Sequence, residues 1–249
     1  MKSIIVLCVG LAYWPTNYAA QTPGPETDHP IIIERPHSPV ELGDLLLEYN
    51  RYIGPSIDGQ VTVALSLHLL HVAWSNQVMT ATFFLRQSWT DSRLVFTGDH
   101  DVEVPTRDEI WEPDTFFPSA IETKTSAAAT ERSLRLAPNG TATRSARISV
   151  VVPCQLTAAA IIAHDGRVNC TIDIGSYGNS GVSQIKYQWR RDMSINYGGL
   201  ERIVKSAANT TSLVRVATGE YSKASALIEL QTALTRQVLD YIVLKKSDL

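Results

Sequence analysis

The chain has 249 residues, a formal net charge of −3, and 44% hydrophobic against 19% charged residues. That mixed, slightly acidic balance does not favour nucleic acid or an anionic membrane as a partner. After the N-terminal apolar stretch no run of about eighteen apolar residues follows, so no membrane span is expected in this chain.

Residues 1–20 open with Lys2, run apolar from Ile4 to Tyr13 and end in Ala19-Ala20, the pattern of a signal peptide. Residues 21–37, rich in Pro, Thr and Glu, are expected to form an irregular lead-in, and 38–249 the folded domain. Ser38, Pro39 and Glu41 make a helix-start pattern. Leu42, Leu45, Leu46 and Tyr49 recur at helical spacing until Gly54-Pro55 stops the run.

Everything afterwards reads as strands. Val61, Val63, Leu65, Leu67 and Leu69 alternate with Thr62, Ala64, Ser66 and His68, the period of a half-buried strand. Over 80–89 the apolar face holds Ala81, Phe83 and Leu85; the other holds Thr82, Phe84, Arg86 and Ser88. A phenylalanine beside an arginine on a polar face is unusual. Pro113, before Asp114, marks an edge or loop. Residues 134–148 form a hairpin around Pro138-Asn139-Gly140. A three-residue loop puts Leu134, Leu136, Ala142, Ala146 and Ile148 on one face, and Ser133, Arg135, Thr143, Ser145 and Arg147 on the other. Strands follow at 146–152, 170–174, 185–189, 213–216, 224–231 and 238–244, with a Thr218-Gly219 turn between 213–216 and 224–231. The fold class expected is all-β, an about ten-stranded β-sandwich with a short N-terminal α-helix.

Of the three cysteines, Cys8 lies in the signal segment, which leaves Cys154 and Cys170 as the mature pair. In an exported chain they are expected to be bridged, closing a loop worth roughly 3 kcal/mol. Export also fits the sequons at Asn139, Asn169 and Asn209. His68 and His71, three apart on a strand, are expected to point to opposite faces and to share no metal. Asp99, Asp101 and Glu103 read as a solvated acidic edge. No nucleophile-elbow, zinc-protease, phosphate-loop or dinucleotide motif occurs; neither an enzyme nor a cofactor is expected.

A disulfide loop between two strands, with a His164-Asp165-Gly166 turn near its end, resembles the signature loop of Cys-loop receptor (pentameric ligand-gated ion channel) ligand-binding domains. So, in the family's order, do Trp89-Thr90-Asp91-Ser92-Arg93-Leu94, Trp111-Glu112-Pro113-Asp114 and Thr218-Gly219-Glu220-Tyr221. Residues 83–94 (FFLRQSWTDSRL) and 111–117 (WEPDTFF) look closer to the anion-channel branch of GABA, glycine and glutamate receptors than to the nicotinic one. The resemblance implies a pentamer with ligand bound between subunits. Phe116, Ser176, Tyr177, Thr218 and Tyr221 would then lie on a principal face, and Phe84, Arg86, Arg135 and Ser145 on a complementary one. Aromatics can hold an ammonium; arginines can grip a carboxylate. The chain departs from the family at Ile162-Ala163-His164-Asp165 in a longer cysteine loop. It departs again at Gly175, where an acid often stands, and at Val216, where an aromatic would help close the cage. Tyr221 is expected to act as a lid, and Lys223 to matter little.

The expectation is a secreted, extracellular homopentamer similar to the acetylcholine-binding proteins, taking a small-molecule ligand. Alternatives are the extracellular part of an anion-type channel subunit and a ring-forming interaction protein with a vestigial pocket.

Overall fold

The computed structural model describes residues 42–56, 59–75, 77–105, 110–154, 166–178, 184–191, 194–217 and 219–231. The expected signal segment and lead-in, the interior of the cysteine loop and the strand at 238–244 lie outside these residues.

One short helix, α1 (Leu42–Leu46), rests Leu42, Leu45 and Leu46 against the core. The strands then run in order as β1 (Gln60–Ser75), β2 (Val78–Val95), β3 (Val102–Glu103), β4 (Thr115–Phe116), β5 (Glu122–Thr125) and β6 (Arg132–Leu136). They continue as β7 (Asn139–Pro153), β8 (Arg167–Ser176), β9 (Gln184–Trp189), β10 (Ile195–Asn196), β11 (Val204–Val216) and β12 (Gly219–Gln231). The described residues thus hold twelve strands where about ten were expected. The additions, β3, β4, β5 and β10, are two to four residues long, too short to carry a hydrophobic period.

Two sheets form. The larger has eight strands, in the order β10-β1-β2-β7-β6-β3 with β5 on β7 and β9 on β1; the smaller runs β11-β12-β8-β4. Alternate residues of the long strands are buried: Val63, Leu65, Phe83 and Leu85 from the larger sheet, Ile172, Ile174, Ala226 and Ile228 from the smaller. They belong to one apolar cluster, so each sheet buries one face and leaves the other for polar side chains, as in a β-sandwich. The Cys154–Cys170 disulfide joins the end of β7 to β8, and therefore one sheet to the other.

Two details of the strand reading change. Between Leu69 and His71 the register of β1 against β2 slips by one residue: Leu69 faces Phe83 and His71 faces Thr82. This bulge at Leu70 returns His71 to the face that His68 occupies opposite Phe84, so the two histidines share the outer face rather than opposing ones. The second detail is Arg144. The hairpin has the expected three-residue loop, with Leu136 opposite Ala142 and Leu134 opposite Arg144. Arg144 is therefore on the apolar face, where it pairs with Glu112 at 3.0 Å and donates to Gln87 at 3.2 Å.

Gly140 closes that hairpin at φ +78°, a left-handed conformation that favours glycine. A Cβ there would stand 2.4 Å from the Asp91 carbonyl oxygen. Gly140→Ala is expected to lower stability by on the order of 2 kcal/mol, measurable as a lower midpoint in urea unfolding.

Candidate functional site

The outer face of the larger sheet collects the four residues expected on the complementary side. Arg86 on β2 faces Ser145 on β7; Ser145 in turn faces Ser133 on β6, and Arg135 faces Thr143. Phe84 lies two residues along β2 from Arg86, opposite Arg147. Cross-strand partners project from the same side of a sheet, so Phe84, Arg86, Arg135 and Ser145 share one surface. Hydroxyl pairs stiffen it: Thr82 with Ser149 at 2.8 Å and Ser88 with Thr143 at 3.1 Å. Arg147 forms an ion pair with Glu131. Arg86 and Arg135 are both exposed, and neither is engaged in a hydrogen bond or ion pair among the described residues.

The principal residues gather elsewhere, on the outer side of the smaller sheet, around a cleft of about 420 Å³. Phe116, Ser176, Tyr177 and Tyr221 line it together with Gly175 and Lys223. Phe116 and Tyr177 meet edge to face, with ring centroids 5.5 Å apart. Thr218 lies outside the described residues.

Asp114 of the Trp-Glu-Pro-Asp motif holds this loop in place. Its carboxylate accepts from the Ser176 hydroxyl at 2.5 Å and from the Gly178 backbone N–H at 2.6 Å. The same hydroxyl lies 2.8 Å from the Gly178 carbonyl, so its one proton is shared between two acceptors, and Ser176 is largely buried. Its hydroxyl is thus occupied in shaping the loop, while Tyr177, 80% exposed, presents its ring outward. Beneath the cleft, Tyr187 shares a 2.8 Å hydrogen bond with Thr115 and donates to the Gly175 carbonyl at 3.4 Å. Burial pushes the Tyr187 phenol well up, so it stays a neutral donor at any ordinary pH.

Register explains the floor of the cleft. Gly175 on β8 is flanked by Phe116 on β4 and by Lys223 on β12. A Cβ on Gly175 would point at Phe116 and Pro118, each 3.4 Å away; Gly175 itself places no side chain between Phe116 and Lys223, which line the same cleft. Lys223 therefore lines the cleft. Residues two apart on a strand share a face, which puts it beside Tyr221, and that rule was available from the sequence. Val216 also lines the cleft and is half exposed.

The two groups do not meet within one chain: four residues lie on the outer face of the larger sheet, and four around the cleft of the smaller. The sequon asparagines 139, 169 and 209 are all exposed. Among the described residues no three metal-binding side chains cluster, and no helix is long and apolar enough to cross a membrane.

Residues 40–238 match the family model of the neurotransmitter-gated ion-channel ligand binding domain. The chain is similar to the gamma-aminobutyric acid receptor subunit pi of Bos taurus, 29% identical over 216 residues covering 80% of this chain and 47% of that one. It is also similar to the subunit beta-4 of Gallus gallus, 30% identical over 60% of this chain and 32% of that one. For the subunit beta of Caenorhabditis elegans the values are 25%, 78% and 37%. The chain spans less than half the length of the relatives it matches.

Proposed function

Because this chain belongs to the family of neurotransmitter-gated ion-channel ligand-binding domains, we propose that it is an extracellular, ring-forming binding protein. It takes a small ligand where the principal face of one copy meets the complementary face of the next. The observation that supports this reading is that candidate residues for both halves of such a site lie on one chain. The Phe116–Tyr177–Tyr221 cleft opens on one sheet, and half-buried Phe84 with exposed Arg86 and Arg135 lies on the other. Faces that differ in this way make a heterologous contact, which repeats by rotation until the ring closes. A homopentamer is the closed form we propose, with the disulfide and exposed sequons suited to export.

Light scattering of glycan-trimmed protein tests the assembly: a stable monomer at micromolar concentration would contradict it. Calorimetric titration with a panel of amines, amino acids, carboxylates and sulfonates tests the site. Arg86→Ala is expected to weaken the best ligand by about ten- to a hundredfold, the loss of a charge-assisted contact of roughly 1.5–3 kcal/mol. Tyr221→Ala, which removes an aromatic from the other half, is expected to weaken it as well. Unchanged affinities in both variants would dismiss the interface as the binding site.

A further inference from the structure

We infer that the cleft selects an organic anion with an apolar body, a carboxylate or sulfonate, and that Lys223 determines this specificity; the inference rests on the ligand-binding reading above. Phe116, Gly175 and Lys223 form a row across three adjacent strands. Gly175 puts no side chain between the other two, and Phe116 and Lys223 line the same cleft, so one ligand seated there can reach both the ring and the ammonium.

The carboxylate that lines the cleft is Asp173, and it is already engaged. Its Oδ1 accepts from the Ser225 hydroxyl at 2.6 Å and its Oδ2 from Lys223 at 3.4 Å, while its backbone N–H donates to Ser119 at 3.0 Å. Lys223 has three donors and spends one on that long contact. The pair is lopsided: the acid is held by Ser225 and mostly covered, whereas the lysine side chain is 32% exposed. A ligand ammonium would therefore meet a like charge in a partly desolvated cleft and find the acid taken. A ligand anion would find spare donors and could leave Asp173 with its serine.

The complementary surface adds the same sign. Arg86 and Arg135 are exposed and unengaged among the described residues, so anion-accepting groups stand on both halves of the site. Val214, Val216 and the aromatic rings supply the apolar lining. An organic anion matches that chemistry on every side.

Two matched probe pairs test this by calorimetric titration of the assembled protein: hexane-1-sulfonate with hexylamine, and butyrate with γ-aminobutyric acid, which adds only an ammonium. Hexane-1-sulfonate is expected to bind at least tenfold tighter than hexylamine, and γ-aminobutyric acid no tighter than butyrate. Lys223→Gln should lower sulfonate affinity by about tenfold without weakening hexylamine, and Lys223→Arg should keep sulfonate binding. A cleft that prefers either amine-bearing probe, or a Lys223→Gln variant with unchanged sulfonate affinity, overturns the inference. If Arg86→Ala and Tyr221→Ala still weaken the preferred probe, the inter-subunit site stands and only the anion selectivity falls. If neither variant weakens any probe, the site reading itself falls.

Discussion

Cys154→Ser is expected to lower unfolding free energy by about 2–5 kcal/mol or to stop secretion altogether. The loop it closes has a sequence separation of 16 residues, and closing a loop of that size restricts the unfolded chain by roughly 3 kcal/mol in the entropy model. Placement adds to this, because the bond fastens β7 of the larger sheet to β8 of the smaller. Both cysteines are buried, and the Cys154 N–H is fixed at 2.8 Å to the Gln77 carbonyl. The serine variant loses the tether and leaves a lone thiol at Cys170 between the sheets. Denaturant unfolding of the two proteins without reductant measures the difference. Non-reducing peptide mapping checks the premise, and two free thiols in the native protein would end it.

How far the fold could be read in advance follows from where burial is one-sided. β2 alternates buried and half-exposed residues from Val78 to Trp89, and β12 does so from Tyr221 to Ser225, so each announces itself by a period of two. β11 does not: beyond Val204 nearly every residue is exposed, and only the stretch at 213–216 was visible, through its turn and partner. At Leu70 the bulge flips a histidine to the other face, and a bulge leaves no mark in a residue-by-residue alternation. Arg144 escaped for a related reason. It sits at an inward position of a clean apolar series, and its partner Glu112 comes from a distant loop.

The site divides along the same line. Strand period and loop length alone pair Phe84 with Arg86 and Arg135 with Ser145, since register fixes which side chains are neighbours; their membership of one site came from resemblance. Phe116, Ser176, Tyr177 and Tyr221 had no such local signal and came from resemblance. β4 is two residues long, and the contacts that gather these four join distant parts of the chain, 62 positions apart for Asp114 and Ser176. Ser176 lines the cleft, while its hydroxyl is directed at Asp114 and Gly178.

Asp91→Ala is the second large effect expected, a loss of about 3–4 kcal/mol. Asp91 is fully buried at the end of the Trp-Thr-Asp motif. Its Oδ1 accepts from the Arg93 backbone N–H at 3.1 Å and from Arg93 Nε at 2.8 Å. Its Oδ2 accepts from Arg93 Nη2 and from the Tyr49 hydroxyl, each at 2.7 Å. Tyr49 accepts in turn from the Trp111 backbone N–H at 3.1 Å, and the Arg93 guanidinium lies over its ring at 4.4 Å. One carboxylate thus ties the chain after α1 to β2 and to the loop that carries Asp114 toward the cleft. Removing it leaves the partly buried Tyr49 hydroxyl without its acceptor. It also strips Arg93 of a bidentate partner, although Arg93 is exposed enough to recover some hydration, which keeps the estimate below the full cost of an orphaned buried charge. Asp91→Asn should cost less, because the amide keeps an acceptor oxygen for Tyr49 or Arg93. Urea unfolding of the three proteins measures the series. An alanine variant within 1 kcal/mol of wild type (about the worth of one ordinary hydrogen bond) would show that the motif is not what holds these segments together.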